Sequence, residues 1–105
     1  MVKRGCCKVK MNRFKISRQA DIDLEDLWLY LTQNDSLAAD LFLAKIVNKF
    51  PMLAQFPEMG KSRNDLSEGL RNFPVKPYII FYRYREDYIE IVRILHQSRN
   101  IEDQF

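Results

Sequence analysis

The chain has 105 residues, a mass of 12.6 kDa and a formal net charge of +3. A chain of this length forms one ordinary domain. Its 47% hydrophobic and 30% charged residues exclude an intrinsically disordered protein, and no apolar run approaches the ~20 residues of a membrane span.

The positive charge belongs to the first ten residues. Residues 1–10 carry four basic residues and no acid, whereas residues 11–105 carry 13 basic and 14 acidic residues. We therefore expect residues 1–10 to be a leader, either disordered or added by an upstream start, and residues 11–105 to form the single domain. The leader lacks the apolar stretch of a signal peptide. The two cysteines, Cys6 and Cys7, are adjacent and too few for a zinc site, which favours a reducing, cytoplasmic location.

The first predicted elements are a strand and a helix. Alternating polarity over residues 12–17 predicts a half-buried strand, and Ser17 is a favourable N-cap for the next helix. Apolar residues at helical spacing predict a helix over residues 18–33, with Trp28 in the core. A second apolar stripe indicates that this helix is contacted on two sides; its residues are Ile22 and Leu29. The acids of the first turns are interpreted as a solvated face or, alternatively, as a contact for a basic partner; they are Asp21, Asp23, Glu25 and Asp26.

The next segment predicts a second helix and a long loop. A polar break at residues 33–36 precedes a long apolar face, which predicts a helix over residues 36–55 and hence an antiparallel hairpin. Pro51 has no backbone N–H, so we expect a kink or an end near Phe50. Residues 57–69 are rich in turn-forming residues and are predicted to be a loop of a length more typical of functional loops than of simple connections.

Three strands are predicted in the last third of the domain, over residues 69–76, 78–85 and 88–95. Pro74 places the first of them at an edge or a bulge. In the second strand, one face holds Tyr78, Ile80, Tyr82 and Tyr84. In the third, alternation assigns one face to Ile89, Ile91, Arg93 and Leu95, and the other to Tyr88, Glu90, Val92 and Ile94. The order β-α-α-β-β-β predicts an α+β fold in which a helical hairpin packs on a mainly antiparallel sheet, with the second sheet face open unless a partner covers it.

The residues with reactive side chains match no familiar catalytic or metal-binding motif. The single histidine, His96, ends the last strand and is interpreted either as a structural hydrogen-bonding residue or as a general base for a 2′-hydroxyl group. The cations that could hold a phosphate near it are Arg71, Arg93 and Arg99. Pairing with Glu90 or covering of aromatic rings explains these arginines equally well. One histidine and two leader cysteines are a poor ligand set, so we expect no metal and no cofactor.

Basic residues also cluster in the second half of the chain. Residues 61–99 hold eight of them against five acids. They are interpreted either as solvated strand edges or as a basic working face. Because residues 11–105 have slightly more acids than bases, we expect no direct sequence-specific binding of nucleic acid.

Four segments together resemble the ParE branch of the RelE/ParE toxin superfamily. They are residues 20–31 (ADIDLEDLWLYL), 56–63 (FPEMGKSR), 69–82 (GLRNFPVKPYIIFY) and 91–99 (IVRILHQSR), in this order. The resemblance covers nearly all of residues 11–105. It implies the toxin of a type II toxin–antitoxin pair, which forms a hetero-oligomer with a ParD-like antitoxin that wraps an otherwise exposed groove.

The superfamily implies two alternative activities. ParE-like members poison DNA gyrase, and RelE-like members cut mRNA in the ribosome. Arg71 and Arg99 fall where the RelE pattern has arginines, but Phe105 stands where that pattern has a late tyrosine. The lysine-rich stretch before the second strand is reduced to Lys61 and Arg63. Phenylalanine has no hydroxyl group with which to exchange a proton or hold a phosphate. The two departures therefore weaken the case for a nuclease and favour a gyrase inhibitor that is not an enzyme.

The alternatives assign different roles to one set of residues. A ribosome-dependent mRNA endonuclease would use Arg71, His96 and Arg99. A third possibility is a degenerate toxin that binds only its antitoxin. For a protein-binding toxin, the residues expected to contact the antitoxin or the target are Arg71, Tyr82, Arg83, Arg93, His96 and Arg99.

Overall fold

A computed structural model describes residues 13–105, so the expected leader and the predicted strand start at residue 12 lie outside the described residues. In chain order the elements are β1 (Phe14–Ile16), α1 (Arg18–Thr32), α2 (Ser36–Val47), α3 (Lys49–Gln55), β2 (Lys61–Ser62), β3 (Leu70–Val75), β4 (Tyr78–Tyr84) and β5 (Ile89–His96), with 3-10 helices at Pro57–Met59 and Ile101–Gln104. The strands of the described residues form one sheet in the order β1-β5-β4-β3-β2, in which the β1–β5 pair is parallel and the other three pairs are antiparallel. This confirms the predicted α+β fold. Within residues 13–105, no helix is long and apolar enough to cross a membrane.

The start of α1 is fixed by Ser17. Its Oγ accepts a hydrogen bond from the backbone N–H of Ala20 at 3.0 Å and donates one to the carbonyl of Val92 at 2.9 Å. The first bond satisfies one of the free N–H groups at the helix start, as predicted. The second attaches that start to β5, so one side chain both begins the helix and positions it on the sheet.

The second predicted helix is two helices, because Pro51 interrupts its hydrogen bonding. A proline cannot donate to the carbonyl four residues earlier, and its ring crowds that carbonyl. The carbonyl belongs to Val47, where α2 ends, and α3 begins at Lys49. The break therefore lies at Asn48, two residues before Phe50, near which it was expected, and Phe50 itself is fully buried.

The helices cover one face of the sheet and build the main core on it. The strand residues of this core include Val75, Ile80, Tyr82, Ile89 and Ile91, and the helical residues include Leu24, Leu27, Ile46, Phe50 and Leu53. The face of β4 that carries Ile80 and Tyr82 is therefore the covered face, which accounts for its apolar character.

The second face of the sheet is also covered, and the prediction that it stays open without a partner was wrong. Leu70, Phe81 and Leu95 are buried there under partly buried apolar residues that include Leu66 and Phe105. The ring of Phe105 lies 5.0 Å from that of Phe81. The covering segments are the loop before β3 and the last five residues of the chain. The short strand β2, which lies in that loop, was not predicted.

A β-bulge in β5 changes which side chains face the helices. Successive residues of β4 pair with Arg93 and Ile91, so Val92 between them has no partner. After the bulge, Ile94 packs in the main core and Leu95 on the opposite face. The predicted alternation was wrong beyond Val92, because an inserted residue reverses the two-residue period of the strand.

Trp28 lies between the helices of the hairpin, and its predicted core position was wrong. It is half-buried, and its Nε1 donates to Asp40 Oδ1 at 2.7 Å. The core face of α1 instead consists of Ala20, Leu24 and Leu27. Because successive residues turn by about 100° around a helix, Trp28 follows Leu27 out of the core and towards α2.

Replacement of Leu27 by alanine is therefore expected to destabilise the domain more than replacement of Trp28. Leu27 is 3% exposed, and loss of a buried leucine side chain costs about 2–5 kcal/mol. Trp28→Ala removes one hydrogen bond and only part of a buried surface. Chemical denaturation of both variants measures the difference. An equal or larger loss for Trp28→Ala would place the tryptophan in the core after all.

Candidate partner-binding groove

A groove of about 810 Å³ lies at the end of the sheet, between the end of α3 and the turn that joins β4 to β5. Its apolar and aromatic lining comes from Ala54, Phe56, Pro57, Tyr84 and Tyr88. We refer to it as the sheet-end groove. Phe56 and Tyr84 are both exposed, so an apolar segment of a partner would remove aromatic surface from water here.

Arg71 supplies the positive charge of the sheet-end groove. It lies on β3 opposite Tyr82, and its Nη1 donates to the carbonyl of Gly60 at 3.4 Å. Within residues 13–105 no carboxylate forms an ion pair with it. A guanidinium has five N–H donors, so most of those of Arg71 remain available to a carboxylate of a partner.

Three carboxylates stand at the same groove. They belong to Glu58, Glu86 and Asp87. Asp87 is paired with Arg13 at 3.4 Å. Both side chains of that pair are largely exposed, so it contributes little to stability. The groove therefore combines one cation with an acidic border.

Tyr82 holds one wall of the groove in place from inside the protein. Its side chain is fully buried, and its hydroxyl donates to the carbonyl of Pro57 and accepts from the N–H of Gly60. Burial raises the pKa of Tyr82, while the bond from Gly60 and the charge of Arg71 lower it less. The hydroxyl therefore stays protonated and able to donate at neutral pH. Tyr82 was predicted to contact a partner, but it does not line the groove; it holds in place the backbone that does.

Arg93 is engaged inside the domain. It forms two hydrogen bonds with the carboxylate of Asp23, at 2.8 and 3.2 Å, and a third with Gln104 at 3.1 Å. The side chains of Arg93 and Asp23 are only 14% and 8% exposed. The same carboxylate accepts from the N–H of Ile94 at 3.0 Å. The interpretation of the first-turn acids as solvated was therefore wrong for Asp23, which joins α1 to β5, while Arg93 also reaches the C-terminal 3-10 helix.

Arg83 lies on the second sheet face, away from the sheet-end groove. Its Nη2 donates to the hydroxyl of Ser67 at 2.6 Å. Its Nε is buried without a hydrogen-bond partner among the described residues. The side chain thus helps to hold the loop before β3 against the sheet, and a partner could reach only part of it.

His96 is held at the other end of the sheet. The backbone N–H of Ser98 donates to its Nδ1 at 3.0 Å, and the Ser98 hydroxyl lies 2.7 Å from the same nitrogen. Because a backbone N–H can only donate, Nδ1 is an acceptor and the neutral ring carries its proton on Nε2. In this tautomer Nδ1 faces the N–H and the hydroxyl of Ser98, and Nε2 is the donor. These bonds fix the ring of His96 on the turn that follows β5.

The strand register separates Arg71 from His96. Arg71 pairs with Tyr82, whereas His96 pairs with Tyr78, four residues away on β4. At roughly 3.3 Å per residue, this places them about 13 Å apart along the strand direction, on opposite sides of β4. Arg99 is exposed in the turn after His96. The structure therefore brings His96 and Arg99 near each other but leaves Arg71 at the sheet-end groove.

Several basic residues of the second half of the chain are paired with carboxylates of the domain, so fewer of them are available to a partner than the composition indicates. Arg63, Arg85 and Arg93 each have an internal carboxylate partner. In the exposed pair of Arg63 with Asp65, the hydrogen bond raises the pKa of Arg63 and lowers that of Asp65. Within the described part of the chain, Arg71 and Arg99 have no such partner.

The groove residues Phe56, Glu58 and Tyr88 were not identified from the sequence as a site. They come from segments about 30 residues apart, and no local pattern shows that the end of α3 meets the β4–β5 turn. The sequence shows that Phe56 and Tyr84 are aromatic, but only the fold shows that both side chains are exposed and line one groove.

Comparison with known families matches residues 14–101 to the family described as ParE toxin of type II toxin-antitoxin system, parDE. Toxin ParE1 of Caulobacter vibrioides is 35% identical over 92 residues, which are 86% of this chain and 94% of that toxin. Toxin ParE3 of the same organism is 34% identical over 95 residues, 90% of this chain and 95% of that toxin.

A solved structure has the same fold. It is described as a chromosomal ParDE TA system from P. aeruginosa, and it superposes with a TM-score of 0.70 at 24% sequence identity. The match covers 83% of this chain and 97% of that chain. At this identity the likeness bears on the arrangement of helices and strands alone.

Proposed function

Because the chain belongs to the ParE toxin family of type II toxin–antitoxin systems, we propose that it inhibits DNA gyrase by binding it and has no catalytic activity of its own. Family membership makes the chain a toxin with a cognate antitoxin. We propose further that this antitoxin is ParD-like, that the two proteins form a hetero-oligomer in the cytoplasm, and that residues 11–105 suffice for both interactions.

The separation of Arg71 from His96 is the observation that carries the proposal. An mRNA endonuclease would need a base and phosphate-holding cations within reach of one phosphodiester. His96 instead accepts from Ser98, and Arg71 lies at the other end of the sheet. Phe105, which replaces a tyrosine of the RelE pattern, is packed on Phe81. These positions support protein binding over RNA cleavage.

Assays with purified gyrase test the proposal. The toxin is expected to inhibit supercoiling or to trap cleaved DNA complexes, and His96→Ala is expected to do so equally well. Primer extension on cellular mRNA after induction provides the counter-test. Codon-phased cuts that disappear in His96→Ala, with gyrase unaffected at excess toxin, would replace the proposal by the endonuclease. Overexpression without growth arrest would instead indicate a degenerate toxin.

We also propose that the sheet-end groove receives the antitoxin, with an acidic side chain on Arg71 and apolar side chains against Phe56 and Tyr84. Arg71 is chosen because its guanidinium, unlike that of Arg93, has no carboxylate partner within the described chain. Arg99 offers a second exposed cation. Arg83 is a weaker candidate, since its reversal would also break the bond to Ser67.

Arg71→Glu is expected to weaken antitoxin binding by at least about tenfold, ~1.4 kcal/mol, and to reduce its salt dependence. The physical reason is that one attractive charge pair becomes repulsive. Lys61→Glu makes the same change of charge on the adjacent exposed strand β2, outside the groove, and serves as the control. Affinity for the antitoxin at two salt concentrations measures both effects. Equal losses in the two variants would contradict docking at Arg71.

A further inference from the structure

The end of the sheet opposite the sheet-end groove is formed by two turns. Residues 76–77 join β3 to β4, and residues 97–100 follow β5. The backbone N–H of Gln97 donates to the carbonyl of Pro77 at 2.8 Å, and that of Arg99 donates to the carbonyl of His96 at 2.9 Å. The first of these bonds holds the two turns side by side at the ends of neighbouring strands, which are about 5 Å apart. We call residues 76–77 and 97–100 the paired turns.

The paired turns carry two cations that the domain leaves unpaired. Lys76 and Arg99 are both exposed. Neither of them forms an ion pair with another residue of the range 13–105. An ammonium group has three N–H donors and a guanidinium has five. These donors are therefore available to an anion that approaches this end of the sheet.

The acids that follow the paired turns in the chain interact with other residues. Asp103 accepts a hydrogen bond from the side chain of Asn100 at 2.8 Å. Glu102 lies close enough to Arg63 to interact with it electrostatically. The three carboxylates of the sheet-end groove lie at the opposite end of the sheet. A polyanion is therefore attracted to the paired turns and repelled by the acidic border of the groove.

The side chains of the paired turns are suited to phosphate and poorly suited to a protein interface. Residues 97–100 are glutamine, serine, arginine and asparagine, which are types that bind phosphate oxygens in protein–DNA complexes. The large apolar side chains that are exposed in residues 13–105 all lie in other segments. The centre of a protein interface is apolar, whereas contacts to a phosphate backbone are made by cations and polar groups.

We propose that the paired turns contact the phosphate backbone of the duplex DNA on which gyrase acts, through Lys76 and Arg99, while other surfaces of the toxin bind gyrase itself. This inference rests on the proposed gyrase target, and it gives the toxin a nucleic-acid ligand that it contacts without reading base sequence. Two cations displace few counterions, and residues 11–105 carry 13 bases against 14 acids, so the contact alone is too weak to hold the toxin on free DNA. Gyrase supplies the missing affinity by placing the toxin next to the DNA.

The test measures the affinity of the full-length toxin for gyrase with and without a bound fragment of duplex DNA. The wild-type toxin is expected to bind the gyrase–DNA complex at least about tenfold more tightly than gyrase alone. The double variant Lys76→Gln, Arg99→Gln is expected to lose this gain. Its affinity for gyrase alone is expected to stay unchanged, which also shows that the variant is folded. On the gyrase–DNA complex, the slope of log K against log salt concentration is expected to become shallower by about 1.8, or about 0.9 for each lost phosphate contact.

The double variant Lys45→Gln, Lys61→Gln is the matched control, because it removes the same charge from exposed positions on α2 and β2. Every protein keeps residues 1–10, so the charge of that segment is constant. No gain of affinity from DNA in the wild type, or equal losses in the two double variants, would overturn the proposal. So would a loss of affinity for gyrase alone on replacement of Lys76 and Arg99, since the paired turns would then contact protein. A toxin that binds gyrase neither with nor without DNA would refute the proposed target itself, and this inference with it.

Discussion

Replacement of Asp23 by alanine is expected to lower the free energy of unfolding by about 3–5 kcal/mol, the largest loss anticipated for a single polar side chain in this domain. The carboxylate accepts two hydrogen bonds from Arg93 and one from the N–H of Ile94. Its removal leaves a nearly buried guanidinium without its counter-charge and a strand N–H without its partner. Both groups then bear a desolvation cost that water cannot offset.

Two further variants separate the ion pair from other effects of the substitution. Asp21→Ala removes an exposed acid from the same turn of α1 and is expected to cost well under about 1 kcal/mol. The double variant Asp23→Ala, Arg93→Ala removes both charges and is expected to be less destabilised than the sum of the two single variants. Urea denaturation is measured on the wild-type protein, on the single variant Arg93→Ala and on the three variants named above. If Asp23→Ala were no less stable than Asp21→Ala, the ion pair between Asp23 and Arg93 would contribute nothing.

Gly60→Ala is expected to be the second large loss, about 2–5 kcal/mol, with a parallel loss of antitoxin affinity. A Cβ atom at this position would clash with the hydroxyl of Tyr82 and would lie 2.7 Å from the carbonyl oxygen of Asn72. The backbone oxygen cannot move away cheaply, so either Tyr82 or the chain at Gly60 must shift. Either shift breaks the bonds that hold the wall of the sheet-end groove.

Tyr82→Phe tests the same wall without adding bulk. It removes the hydroxyl and leaves the buried N–H of Gly60 unpaired, which costs about 1–3 kcal/mol. Tyr30→Phe, at an exposed position on α1 outside the sheet-end groove, is the control for loss of a tyrosine hydroxyl. Denaturation midpoints and antitoxin affinity are measured on each protein. A Gly60→Ala variant with the wild-type midpoint would show that the contact has room to relax.

Local elements were predictable because their causes are local. The N-cap at Ser17, the helical spacing of Leu24 and Leu27, and the break caused by Pro51 each depend on residues within about one turn. The strand pattern of residues 78–85 likewise reflects side chains that are neighbours in sequence. The resemblance to the ParE branch depends on several such segments in order, and family membership confirms it.

The candidate site was only partly predictable. Arg71 was identified from its charge and from the resemblance, and it lies in the sheet-end groove. The same reasoning placed Tyr82 and Arg93 among the contact residues, whereas the first is buried and the second is paired with Asp23. Residue type indicated a capacity for charge or hydrogen bonding in each case. It did not indicate whether the protein itself already uses that capacity.

By itself, the sequence determined the helical hairpin, the four longer strands, their order and the family of this toxin, since each follows from periodicity, capping and motif order along the chain. Tertiary structure alone decided which polar groups form hydrogen bonds or ion pairs within the domain and which stay available to a partner. Asp23 meets Arg93 across 70 positions of sequence, and Phe105 covers Phe81 from the far end of the chain. One bulge at Val92 reverses the faces of β5. Such pairings depend on register and packing between distant segments, and a local pattern carries no information about them.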